Sequence, residues 1–433
     1  MNSGELSARA FARAQRVFPG GTTRMTIPKD PYPLYMAKGQ GCRVTDIDGR
    51  EYIDFHNNFA ALIHGHAFAP VVEAVKAQIE LGTCFANPTL AEIELAEILC
   101  ERFPGVEQVR FCNSGTEAVM FAIKAARAAT GRYKIAKLEG AFHGLYDWAE
   151  VSETSRPDNW GDVAAPNATA RGMTPPSVLS EVVPLPLNFI DESRRIIEAQ
   201  HRELAAVLVC LAPSRAGLIP LSPAYVRMLR EITARLGILL VDDEVLNGRA
   251  TYRGAAGHYG LVPDLMSLGK IIGGGLPIGA VGGRRDIMAV FDNTRGDPPT
   301  PHAGTFSANP LSMKAGAAAM RALTPDAITR LNALGERLRD GVRDAARHSG
   351  VPFSVTGLGS AFRIHPKATA PANYREGYPT AAERSRLNVL WRDMLNDGFM
   401  FAHHGLGTLS TPMSEKEVDE FVAAFKHCSA KHS

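Results

Sequence analysis

The sequence predicts an α/β protein: a largely parallel central sheet flanked by helices, with an N-terminal arm and a smaller C-terminal α+β lobe. Three observations carry this. The 433 residues exceed the usual size of one domain. Between about residues 70 and 290, helical patterns alternate with the short apolar runs QVRF, KIAKL, AAVLVCL, GILLVD, LMSLG and IGAVG, the succession expected of a parallel sheet with helical crossovers. From about residue 310 onward come three long helical stretches, 310–323, 326–348 and 380–397, with strand-like pieces at FSVTG and AFRIH.

Taken in order, the chain opens on MNSGELSARAFARAQRVF, an amphipathic helix without the apolar centre of a signal peptide. A Gly/Pro-rich turn region follows, then strand-like runs around CRVTDIDG and EYIDF, separated by the turn signal Asp48-Gly49, so residues 1–65 are expected to form an arm with a hairpin. Residues 66–309 hold the alternating pattern, and 310–433 the smaller lobe, closed by the helix SEKEVDEFVAAFKHC. The stretch 152–188, rich in Pro, Ser, Thr and Asn, is expected to be a long ordered or lid-like loop.

Composition narrows the function classes. A formal net charge of +2 with no concentrated Lys/Arg block leaves no electrostatic footprint for nucleic acid. No apolar run approaches the roughly 20 residues that cross a bilayer, and a cytoplasmic location is expected. Six cysteines without a CxxC pair fit reduced thiols better than a disulfide framework or a zinc site. The adjacent His403-His404 and the pair His64 and His66 lack further ligands at sensible spacing, so no metal is expected.

Three segments carry chemistry. In VRFCNSGTEAVMFAIKAAR a strand runs through Asn113-Ser114-Gly115-Thr116 into a helix, and free amides with two hydroxyls at a helix N-terminus make a phosphate cradle. An ordinary N-cap would use the same residues. GILLVDDEV ends an apolar strand in Asp242, Asp243 and Glu244, at the edge where open α/β sheets bind ligands. Asp242 and Asp243 face opposite sides, so one ligand meets only one of them; a pyridinium nitrogen is a suitable partner, a metal-binding or solvent-exposed acidic turn the alternative. Lys270 follows LMSLG and precedes a Gly-rich turn, where desolvation can keep an amine neutral and nucleophilic. The spacing there matches neither a P-loop nor a dinucleotide fingerprint.

Together with the aromatic Phe142 in GAFHG, these residues resemble class III aminotransferases of pyridoxal phosphate (PLP) fold type I, in the branch of glutamate-1-semialdehyde aminomutase and β-amino-acid aminotransferases. The resemblance runs nearly end to end, through FPGGTTR, VTDIDGREYIDF, GHAFAP, GAFHG, PDLMSLGKIIGGGLPIGAVGGR and GTFSANPLSM. It implies Lys270 as the Schiff-base lysine, Asp243 on the pyridine nitrogen, and Phe142 and Val245 on the two ring faces, with His143 beside the cofactor. Ser114, Gly115 and Thr116 would hold the phosphate. Thr305 would reach the phosphate from a neighbouring subunit, implying a homodimer with shared sites. Arg24 in GGTTRMT stands where relatives carry an arginine for the substrate carboxylate, and His404 falls near a second such position, where histidine would be a weaker, pH-dependent partner.

The chain departs from the family in two places. Cys210 and Leu211 stand where relatives show Glu-Pro, and Asp242 where they carry an apolar residue. The expected activity is transfer of an amino group from a carboxylate-bearing amine, such as a β-amino acid, to an oxo acid by a ping-pong mechanism. An aminomutase-like isomerase is the alternative, with a PLP-binding protein without turnover and an NAD-dependent oxidoreductase behind it.

Overall fold

The computed structural model describes residues 4–431, so the first three residues of the expected arm and the last two of the C-terminal lobe lie outside it. At its centre is a seven-stranded sheet in the order Gln108–Cys112, Gly279–Gly283, Leu265–Gly269, Leu239–Asp243, Leu204–Val209, Lys134–Leu138, Val182–Leu185. Six strands run one way and Gly279–Gly283 opposes them. Leu204–Val209 is buried at every position, the run of small and branched side chains that a strand covered on both faces requires.

Local signals set the helix ends. Gly115–Thr130 begins with the Ser114 hydroxyl accepting from Glu117 N and stops at Gly131, left-handed at φ 66°. Pro223–Leu236 has Ser222 as cap, Pro223 in its first turn and Gly237 beyond it. Ala381–Asn396 and Glu415–Ala430 both open on capping boxes, Thr380 with Glu383 and Ser414 with Glu417.

The arm is sewn to the far end of the chain. Its strands Met36–Gln40, Arg43–Asp46 and Glu51–Asp54 continue into Phe399–Met400, which pairs parallel with the last of them. Asp48 of the predicted turn accepts from Leu6 N, Ser7 N and Ser7 Oγ, docking the helix Glu5–Ala14. A three-stranded antiparallel sheet, Ser354–Leu358, Ala361–His365 and Leu406–Thr408, underlies the C-terminal lobe with the long helix Pro325–Ser349.

The stretch 152–188 departs from the expected loop. It contains a two-residue hairpin, Gly161–Asp162 with Ala165–Pro166, a short helix Pro176–Ser180, and Val182–Leu185, the edge strand of the central sheet. Pro184 lies in that strand, and an edge is where a strand tolerates a missing N–H.

Candidate active site

Gln108–Cys112, Leu239–Asp243 and Leu265–Gly269 deliver the predicted segments to one edge of the sheet, at their carboxyl ends. A cavity of about 450 Å³ opens there, lined by Gly115, Thr116, Phe142, His143, Asp243, Val245 and Lys270, with Arg24, Asn58, Cys210 and Ser214 also on its wall.

Lys270 directly follows the strand in the left-handed region, at φ 51°, a conformation that costs a non-glycine residue energy. Burial pushes its ammonium pKa down, against the opposing pull of Asp243, which favours the neutral amine. The Asp243 carboxylate is held by three donors: His143 Nδ1 at 2.7 Å on Oδ2, and Ser267 Oγ at 2.9 Å and Val245 N at 3.1 Å on Oδ1. A carboxylate has about four lone-pair sites, so one remains for a further N–H. His143 is buried, and burial lowers its pKa despite Asp243; its Nε2 has no partner.

Val245 is wedged between glycines. A Cβ on Gly115 would stand 2.8 Å from Val245 Cγ1, and one on Gly269 3.3 Å from it. Gly115 is thus required by the packing of the helix start on Val245. Arg24 Nη1 donates to Asn58 Oδ1 at 2.8 Å. Asn58 sits in a turn where four successive residues, Asn57 to Ala60, all have positive φ, between 46° and 71°. Such a run is costly for non-glycine residues; Asp54 Oδ1 secures it by accepting from His56 N and Asn57 N, and Asn57 Nδ2 donates to Thr408 O.

Three expected residues are not on the cavity wall. The Ser114 hydroxyl is spent capping its helix. Thr305 is exposed, its carbonyl beside Cys84. His404 is absent from the lining, and burial first and then Arg363 drive its pKa well below the usual value. Cys210 is on the wall, its Sγ 3.0 Å from the Asn247 amide; burial, then Asp243, raise the thiol's pKa well above normal, which removes thiolate reactivity. Sequence reasoning missed Ser267, although a lone hydroxyl in the buried strand Leu265–Gly269 was a visible signal. It also missed Asn58, which no local pattern marks.

The arrangement fits PLP: a helix N-terminus for the phosphate, an open acceptor site on Asp243 for a protonated ring nitrogen, and a desolvated lysine for the aldehyde. The family model for aminotransferase class-III matches residues 25–424. Glutamate-1-semialdehyde 2,1-aminomutase 2 of Geobacillus kaustophilus is 38% identical, over 100% of this chain and 99% of the relative. The crystal structure of an omega-transaminase from Sphaerobacter thermophilus superposes with TM-score 0.96 at 49% identity, covering 99% of each chain. That of a β-phenylalanine aminotransferase from Variovorax paradoxus gives 0.89 at 33%, covering 100% of this chain and 95% of the other. The chain therefore belongs to the class-III aminotransferases, enzymes whose cofactor is PLP.

Proposed function

We propose that this enzyme takes the amino group of a carboxylate-bearing amine, β-amino acids included, and passes it to an oxo acid in ping-pong order. Arg24 carries the reading: its guanidinium shares a wall with the Lys270 amine and the Asp243 carboxylate, and a guanidinium binds a carboxylate bidentately. When bound, the cofactor supplies a pyridinium electron sink for the substrate carbon. Lys270 would anchor it, and its Nζ would move the proton at the substrate carbon. Asp243 keeps the ring nitrogen protonated, and His143 fixes that carboxylate. Phe142 and Val245 cover the ring faces and exclude water. Gly115 and Thr116 hold the phosphate with the amides of the helix's first turn, to which Ser114 contributes the cap. His404, neutral and off the wall, is given no anion-binding role.

The enzyme acts as a homodimer in this reading. Asn309 Nδ2 donates to Thr83 O at 2.9 Å and the Thr305 carbonyl lies by Cys84, so the segments carrying the exposed Phe85 and the exposed Thr305 and Phe306 lie side by side. That face meets a second copy, and Thr305 reaches the partner's phosphate. Free cysteines throughout the described residues suit a reducing, cytoplasmic compartment.

A single-turnover absorbance assay tests the reading, with products identified after mixing the PLP form with α-amino acids, β-amino acids or glutamate-1-semialdehyde. Amine loss with one carbonyl product supports transfer. Isomerised product without net carbonyl release supports the second reading, an aminomutase, which the name of the 38% identical relative favours.

A further inference from the structure

The strand Leu239–Asp243 and its next residue carry three acids, of which the reading above uses one. Asp242 points to the face opposite Asp243, fully buried between Val209 and Met266 of the neighbouring strands. Neither of its carboxyl oxygens meets a donor, and neither does Oε2 of Glu244, which is also buried. Glu244 Oε1 accepts from Ala256 N at 2.6 Å, and the Ala255 amide also bonds this carboxyl. A Cβ on Gly254 would stand 2.6 Å from that oxygen, so the chain closes tightly over the acid. The two carboxyls face each other. Among the described residues, no lysine, arginine or histidine pairs with either acid, and no group of three or more side chains could hold a metal ion. Their titratable neighbours are Asp243, Cys210 and Tyr259, with His143 and Lys270 beyond Asp243.

Two buried carboxylates with no cation, one of them without any donor, are relieved by a proton, which lets one carboxyl donate to the other. We propose that Asp242 and Glu244 hold one proton between them at and above neutral pH and act as a unit through Asp243, placing a negative charge behind the cofactor's ring nitrogen that keeps it protonated as pH rises. They are positioning residues that touch neither substrate nor cofactor, and the inference rests on Asp243 as the ring-nitrogen partner. The direction of the effect follows from burial, which raises both carboxyls, Glu244 to about 7. Below that pH the pair is neutral; above it the pair carries one charge. A negative charge nearby raises the proton affinity of a ring nitrogen, so the field strengthens as protons become scarce.

Infrared difference spectra of the holoenzyme, with ¹⁵N spectra of ring-labelled cofactor, test this across pH. The wild type is expected to show the carbonyl stretch of a buried protonated carboxyl at and above neutral pH. Glu244→Gln leaves Asp242 protonated beside a neutral amide, and the ring nitrogen is expected to lose its proton about one pH unit earlier, the order of shift that one nearby buried charge produces at an effective dielectric constant near 20. Asp242→Asn leaves a single charge on Glu244; the infrared band is expected to vanish and the ¹⁵N titration to stay. Absence of the band in the wild type overturns the proposal whatever the variants do. So does an unchanged ¹⁵N titration in Glu244→Gln, provided Asp243→Asn moves it; if Asp243→Asn has no effect either, the assignment of Asp243 itself fails.

Discussion

Lys270 combines a strained backbone, a buried amine and the Asp243 carboxylate across the cavity. Lys270→Ala is expected to lower kcat by at least about 10³-fold, as loss of a nucleophilic acid/base does. It is also expected to release cofactor on dialysis, read from its absorbance; retained multiple turnovers would refute the assignment. Arg24 is exposed, and among the described residues its side chain bonds only Asn58, so its truncation leaves the fold alone. Arg24→Ala is expected to raise KM for carboxylate-bearing donors roughly 10- to 100-fold, the worth of a charge-assisted pair, and to spare arylalkyl amines lacking a carboxylate. Equal losses on both donor classes would move the carboxylate site elsewhere.

At the scale of elements, the segment bearing Phe142 and His143 is fastened by a lysine that takes no part in the chemistry. Lys137, in the strand Lys134–Leu138, is fully buried and donates to Ala141 O at 3.1 Å and Val151 O at 2.6 Å, gripping the loop at both ends. Burial lowers its pKa from 10.5 to about 7, against Glu153 and Glu139. Between those values the unfolded chain binds more protons than the folded one, so this group's contribution is fully present above 10.5 and is lost as pH falls toward 7. Wild-type stability is therefore expected to rise between pH 7 and 8.5 by up to about 1.4 kcal/mol per unit more steeply than that of Lys137→Met. Urea unfolding of both at each pH measures the slopes, and parallel slopes would show Lys137 charged in the fold. The same element shows why Val182–Leu185 escaped the sequence reading: the Pro/Ser-rich composition around it hid a four-residue apolar run.

At the scale of the whole molecule, the proposed role of Thr305 at a phosphate requires that two copies meet. Phe85→Asp with Phe306→Asp is expected to shift sedimentation from dimer to monomer and to loosen the cofactor at least about tenfold, the loss of one hydrogen bond to a charged group. A dimer unchanged by the double substitution would place the interface on another face. Sequence by itself determined the class of fold, the family and the segments that meet at the cavity, because alternating apolar runs, N-caps and turn glycines act locally, and because Lys270, Asp243 and the Ser114-Gly115-Thr116 segment each sit at the end of a recognisable strand. Only the tertiary structure decided that Ser114 caps, that Ser267 and His143 share Asp243, that Phe399–Met400 joins the arm's sheet, and that Asp242 faces Glu244 without a cation. These depend on which side chains meet across long stretches of chain and on what is absent around them, and no local periodicity records either.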